Sequence, residues 1–264
     1  MSPMDTNTGK RRLAILAELT HSQAVQVADL SRRLGVSEVS IRRDLARLES
    51  EGMLRRIHGG AVVMPGAASA SAVRPQNSNL VRASEKHRIG YAAAGLIQPG
   101  DRVIFDSGTT VLQVAAHLPE DLRHSGNLTA ITNSLPVVRE LGPNQGVHLI
   151  LLGGVYLPQY EVVVGPQTIE QLRSLHADRL FLGADGLTLS RGVTTANVLE
   201  AEVNRATIAA ALQVVVVADS TKIGLIGLTS IVPLTGISTL ITDAEAPAEF
   251  VSELRRQGVE VVLV

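Results

Sequence analysis

The feature that most constrains this chain is a series of short apolar runs between residues 102 and 264: "RVIFD", "LTAIT", "VHLILLGG", "EVVVG", "RLFLGADG", "VVVVADS", "STLITD" and "VEVVLV". A strand with one wet face alternates apolar and polar side chains. These runs do not alternate, so both of their faces must be covered. Between them lie stretches with helical spacing, such as "TTVLQVAAHL", "LPVVRELG", "TIEQLRSLH" and "LEAEVNRATIAAAL". Strands alternating with helices predict an α/β fold with a mostly parallel sheet. Aromatic residues are only 2% of the chain and Trp is absent, so Leu, Val, Ile and Ala must fill that core.

Before about residue 80 the pattern is different. "RRLAILAELT" and "VADLSRRLG" carry apolar residues at helical spacing, the second with Val27, Leu30 and Leu34 ahead of Gly35. Gly35 suits a helix C-cap and Ser37 an N-cap, so a further helix follows after a very short turn. In it Ile41, Leu45 and Leu48 form the buried stripe, which turns Ser40, Arg43 and Arg47 away from the core. "MLRRIHGGAVVM" reads as two strands around His58-Gly59-Gly60. The predicted order is helix, helix, turn, helix, wing. "PGAASASAVRPQNSN" has linker composition. The reading is therefore a winged helix-turn-helix unit over residues 1–64, a linker over 65–79 and an α/β unit over 80–264.

Charge supports that division. The formal net charge is −1, yet residues 10–60 hold ten Lys or Arg against six acids, a balance of +4 that leaves −5 elsewhere. A basic end beside an acidic remainder suits a polyanion. The absence of Cys excludes disulfides, a thiolate nucleophile and Cys-ligated zinc, and the seven His fall at no metal-ligand spacing. The N-terminal stretch lacks the apolar segment of a signal peptide, and no run reaches the roughly 18 apolar residues of a membrane span. A cytoplasmic protein without membrane contact, metal or cofactor is expected.

A short turn between two helices, the second with a hydroxyl-rich start and exposed arginines, is the geometry that lays a helix in a DNA major groove. Ser37, Glu38 and Ser40 would face base edges, and Arg42, Arg43 and Arg47 would reach phosphates or guanines. Arg55, Arg56 and His58 would add contacts from the wing. Taken alone, the helix also fits a solvated face on which the arginines pair with Asp44, Glu49 and Glu51. The elements taken in order favour DNA.

"VADLSRRLGVSEVSIRRDLARLESEGMLRRIHGGAVV" resembles the winged helix-turn-helix of the DeoR family of bacterial transcription regulators, most closely in "GVSEVSIRRDL", "LESEG" and "RRIHGGA". Where that family often has Thr in the recognition helix, this chain has Ser40, without the methyl that can touch thymine.

In the larger unit, "VIFDSGTTVLQVAAHL" is a strand, a Ser-Gly-Thr-Thr loop and a helix. Backbone amides and the hydroxyls of Ser107, Thr109 and Thr110 would converge there on an anion, although the same residues also serve as an ordinary helix cap. "VVVVADSTKIG" places Lys222 just past another strand, at the edge where parallel sheets bind ligands. Asn133, Gly153, Gly154 and Asp185 also follow strands. Residues 80–264 resemble the DeoR-type sensor domain, itself similar in fold to ribose-5-phosphate isomerases. That resemblance implies that Ser107, Gly108, Thr109, Thr110 and Lys222 hold the phosphate of a phosphorylated sugar, with Asn133, Gly153, Gly154 and Asp185 lining the rest.

It further implies a repressor of a carbohydrate operon, released from its double-stranded operator by the sugar phosphate and acting as a homo-oligomer. The alternative is an isomerase with an accessory DNA-binding head. "GADGL" keeps only Asp185 where the isomerases have a further Asp-Glu pair, and their glycine-rich lysine loop is missing. Glu200 and Glu202 remain as carboxylates, but at i and i+2 they leave a helix on different sides, one as a ligand-facing or capping residue and one at the surface. No catalysis is expected.

Overall fold

The computed structural model describes residues 11, 12, 14, 15, 18, 24–50, 54–57, 59–62 and 82–264. The chain divides into two compact units, Met1–Pro75 and Gln76–Val264. The linker-like stretch 65–79 and residue His58 lie outside the described residues, as does part of the first helical stretch, whose residues 11, 12, 14, 15 and 18 are helical.

In the first unit, α1 (Val27–Leu34) stops at Gly35, whose φ of 64° is the left-handed value that glycine takes without a Cβ clash. The amide of Ser40 donates to Ser37 Oγ at 3.3 Å as α2 (Glu38–Ser50) begins. Ile41, Leu45 and Leu48 are buried with Ile15, Val25, Val27, Leu30, Leu54 and Ala61 in one core. The wing strands β2 (Arg55–Ile57) and β3 (Gly60–Val62) pair antiparallel. A third strand, β1 (Ala24–Gln26), pairs with β3 on its other side; at three residues it is too short to show a period in the sequence. The pairing explains Gly60, because a Cβ there would lie 2.0 Å from the Val25 carbonyl oxygen.

The second unit is built on seven parallel strands in the order β15-β14-β12-β9-β4-β5-β6. They are β4 (Arg102–Phe105), β5 (Leu128–Thr132), β6 (Val147–Leu151), β9 (Ala177–Leu182), β12 (Ala211–Val217), β14 (Thr239–Thr242) and β15 (Glu260–Leu263). Two apolar clusters, one on each face, account for the unalternating runs of the central strands. The edge strands β6 and β15 are only partly covered and leave Leu151 and Leu263 exposed, because each has a neighbour on one side alone. One apolar run lies elsewhere. Val162–Val164 (β8) is buried but pairs antiparallel with Val155–Leu157 (β7) in a ribbon outside the main sheet. Burial on both faces looks the same in sequence for a central strand and for a short covered one. A separate antiparallel sheet, β10 (Gly186–Thr188), β11 (Gly192–Thr195) and β13 (Thr229–Val232), was not foreseen either.

Because all seven strands run the same way, every loop that leaves a C-terminal strand end reaches one edge. From β4 the chain moves outward through β5 and β6, then returns to β9 on the other side of β4 and continues through β12, β14 and β15. The strand order reverses between β4 and β9. The crevice at such a reversal is where open parallel sheets receive ligands.

Candidate functional site

On the helix-turn-helix unit, Arg42, Arg43 and Arg47 are exposed along α2. Arg42 donates to Glu38 at 2.7 Å across one helical turn, so these two side chains share one ion pair. Ser37 and Ser40 touch through their hydroxyls at 3.0 Å at the start of the helix. Arg56 in the wing is exposed, with its amide donating to Glu49 Oε1 at 2.9 Å and its guanidinium 3.9 Å from the same carboxylate. The Arg55 side chain lies outside the described residues.

Asp44 does not join the helix arginines. Its side chain is 2% exposed and accepts from Arg11 Nε at 2.6 Å and Arg12 Nε at 3.1 Å. Two of the cations in the basic balance of this unit are therefore spent on one buried acid, while the arginines of α2 stay at the surface.

At the sheet edge, β4 runs into Asp106-Ser107-Gly108 and then α4 (Thr109–Ala116). Gly108 sits at φ 114° as the helix N-cap, and no side chain caps α4. The first backbone amides of that helix form the positive end of its dipole, with Thr109 and Thr110 in its first turn. Across the switch point, the Gly183 amide donates to Asp106 Oδ2 at 3.1 Å, and a Cβ on Gly183 would lie 2.9 Å from the Ser107 carbonyl. Glycine is what lets the β9 loop come this close to the Ser107 loop.

Behind Ser107 lies a buried polar group. Ser107 Oγ donates to Glu200 Oε1 at 3.4 Å, and Glu200 is 4% exposed on α8 (Val198–Ala209), whereas Glu202 is exposed. The i, i+2 spacing thus separates the two carboxylates as expected. Asn204 sits one turn on from Glu200, and with its amide turned to suit both neighbours it donates to Asp106 Oδ1 at 3.0 Å. Asp185 accepts from Thr195 Oγ1 at 2.9 Å and the Ala196 amide at 3.0 Å, fixing the β9 loop to the strand that leads into α8.

The loop after β12 forms a single 3₁₀ turn, Ser220–Lys222, closed by the buried Asp219, which accepts from the Thr221 amide at 3.1 Å. Lys222 is half-buried as a residue, and its ammonium makes no ion pair among the described residues. β12, β9 and β4 are neighbours, so strand spacing puts the Lys222 and Ser107 loops about 10 Å apart along one edge.

Asn133, Gly153 and Gly154 lie on the far side of β4, after β5 and β6. Asn133 is buried, with Nδ2 donating to the Val163 carbonyl at 2.9 Å. Gly153 exchanges hydrogen bonds with the Gln171 amide and accepts from Thr168 Oγ1 at 2.9 Å. A Cβ at Gly154 would lie 2.4 Å from that same hydroxyl. These residues anchor the β7–β8 ribbon against the sheet edge.

Sequence reasoning passed over Asp106, Gly183 and Asn204. Two signals were available: Asp106 is the first polar residue after the apolar run of β4, and Asn204 stands at i+4 from Glu200 on the same helix face.

Residues 11–65 match the DeoR-like helix-turn-helix domain, and residues 81–244 match the DeoR C terminal sensor domain. A transcriptional repressor assigned to the aga operon in Escherichia coli O157:H7 is 38% identical over 259 residues, 98% of this chain and 95% of the relative. The HTH-type transcriptional repressor GlcR of Bacillus subtilis (strain 168) is 33% identical over 96% of this chain and 95% of its own. Among solved structures, ribose 5-phosphate isomerase A of Methanocaldococcus jannaschii aligns over 56% of this chain and 55% of that one, with 16% identity and a TM-score of 0.40.

Proposed function

The chain belongs to the DeoR family of transcription regulators, and on that premise we propose that it represses a carbohydrate operon and releases it when a phosphorylated sugar occupies the switch-point edge of the sensor unit. It is a DNA-binding regulator and not an enzyme. The effector, the residues that hold it and a homo-oligomeric state are our reading.

One observation carries the effector reading. Lys222, free of any ion pair among the described residues, shares a sheet edge with an α-helix N-terminus that no side chain caps, preceded by Ser107 and Gly108. A dianionic phosphate satisfies both a positive helix end and an ammonium. In this reading Ser107, Gly108, Thr109, Thr110 and Lys222 hold the phosphate. Glu200 and Asp185 face the hydroxyl-bearing remainder, and Asn133, Gly153 and Gly154 frame its outer limit. The names of the relatives quoted above, both repressors, support the direction of control.

Release requires that the effector favour one arrangement of the protein, since equal affinity for both would shift nothing. Lys222→Ala is expected to weaken the response to phosphorylated sugars at least tenfold while operator affinity without effector stays at the wild-type value. The check is operator dissociation against a panel of sugar phosphates, and a wild-type dose response in the variant refutes the assignment.

For DNA, Ser37, Ser40, Arg43 and Arg47 are assigned to α2 as it lies in the major groove, Glu38 and Arg42 to its paired flank, and Arg55, Arg56 and His58 to the wing. Arg43→Ala is expected to weaken operator binding about tenfold and to reduce the slope of log affinity against log salt by about one, because one phosphate or guanine contact is lost. An unchanged affinity and slope in a salt titration would remove Arg43 from the interface.

A further inference from the structure

Arg82 opens α3 (Ala83–Ala94) with φ 55° and ψ 36°, in the left-handed region. Only one other non-glycine among the described residues, Glu161, has positive φ. A side chain makes that conformation unfavourable, so surrounding contacts must hold it. Those contacts converge on the guanidinium, which donates to Asp243 Oδ1 at 3.0 Å, Glu245 Oε2 at 2.9 Å and Ser220 Oγ at 3.3 Å, with Glu85 at 3.6 Å. Its buried Nε has no hydrogen-bond partner, so the group is aimed by its ion pairs.

Asp243, directly after β14, is fully buried. Its Oδ2 accepts from the Ser220 amide at 2.7 Å and its Oδ1 from the Glu245 amide at 3.1 Å. Burial alone would raise this carboxyl, but the Ser220 amide and hydroxyl, the Glu245 amide and the charge of Arg82 together hold it below its ordinary value. One ionised carboxylate thus joins the start of the sensor unit to the turn that carries Lys222.

We infer that Arg82 is a positioning residue: through Asp243 it couples the anion-holding turn Ser220–Lys222 to the segment that arrives from the DNA-binding unit. The inference rests on the phosphate reading above. A phosphate at Lys222 brings negative charge close to two buried carboxylates, Asp219 and Asp243, and the Arg82 cation offsets it. Anion binding and an engaged Arg82 therefore favour each other, and by linkage each strengthens the other by the same factor.

The test uses full-length protein with inorganic phosphate as the probe, titrated calorimetrically, and amide hydrogen exchange over residues 82–86 as the readout of the coupling. In the wild type, phosphate binds and slows exchange there. Arg82→Gln is expected to bind phosphate about fivefold more weakly and to show no slowing even at saturation. Arg82→Lys keeps the charge without the planar fork, so it recovers most of the affinity and little of the slowing. It also carries the test if Arg82→Gln does not fold. Glu245→Gln, which alters an exposed partner, behaves as the wild type. No phosphate binding by the wild type overturns the anion-site reading and the inference with it. Binding with unchanged exchange, or wild-type slowing in Arg82→Gln, overturns the coupling alone.

Discussion

Asp44→Ala is expected to destabilise the DNA-binding unit strongly while the sensor unit keeps its stability. The carboxylate lies under Arg11 and Arg12 at 2.6 and 3.1 Å, and it is the only buried charged residue among the described residues of that unit. Removing one partner of a buried ion pair leaves the others without compensation and costs about 3 kcal/mol, the low end of the usual range, because both arginines keep some contact with water. A unit of about 65 residues has a total stability of only roughly 3–10 kcal/mol. Calorimetry should show the head transition lowered or lost and the sensor transition in place, with operator binding reduced in proportion to the folded fraction of the head. Replacing all three residues by Met, Met and Leu should restore much of the stability, since apolar groups of similar size avoid the desolvation cost of the charges. A head that melts as the wild type after Asp44→Ala would show that the ion pair contributes nothing.

Gly90→Val is expected to act on the other unit. Gly90 lies mid-way along α3 against α4, and a Cβ there would stand 2.5 Å from Gln113 Cβ and 2.6 Å from the Gln113 carbonyl carbon. Backbone cannot yield as the end of a side chain can, so α4 must move. Overpacking of this kind costs about 3 kcal/mol, which lowers the sensor transition by about 10 °C for a unit of this size. The Ser107–Thr110 loop is the start of α4, so the same displacement should abolish stabilisation by phosphorylated sugars. Gly90→Ala should show a smaller loss in the same direction. A Gly90→Val protein within a degree or two of the wild-type transition would mean that the two helices separate freely.

Both predictions fall on residues whose importance the chain does not display in order. "RIGYAAAG" reads as an ordinary helical stretch, and nothing local says that Gly90 meets another backbone. Asp44 reads as a surface partner for Arg47 at i+3, because at helical spacing an acid among arginines belongs on a wet face. The structure instead supplies cations from a helix more than thirty residues earlier. Glu200 shows how far spacing can reach: it established that only one of two neighbouring acids turns inward, and left Ser107, 93 residues away, as the unseen partner.

The residues alone determined what depends on near neighbours. Gly35 with a left-handed φ, Ser37 at the N-cap and the stripe of Ile41, Leu45 and Leu48 produce the helix-turn-helix, because caps and periodicity act within a few residues. Unbroken Val, Ile and Leu runs called for a sheet covered on both faces, because a strand with one wet face alternates. The central strands are covered so, while Leu151 and Leu263 on the two edge strands stay exposed. Tertiary structure decided the order of those strands. Placing β9 beside β4 brings Gly183 against Ser107 and Asp106, lines up the Lys222 turn on the same edge, and sends β8 out of the sheet altogether. Apolar runs of similar composition are interchangeable as sequence, and only the helices and loops that must pack between them fix which becomes whose neighbour.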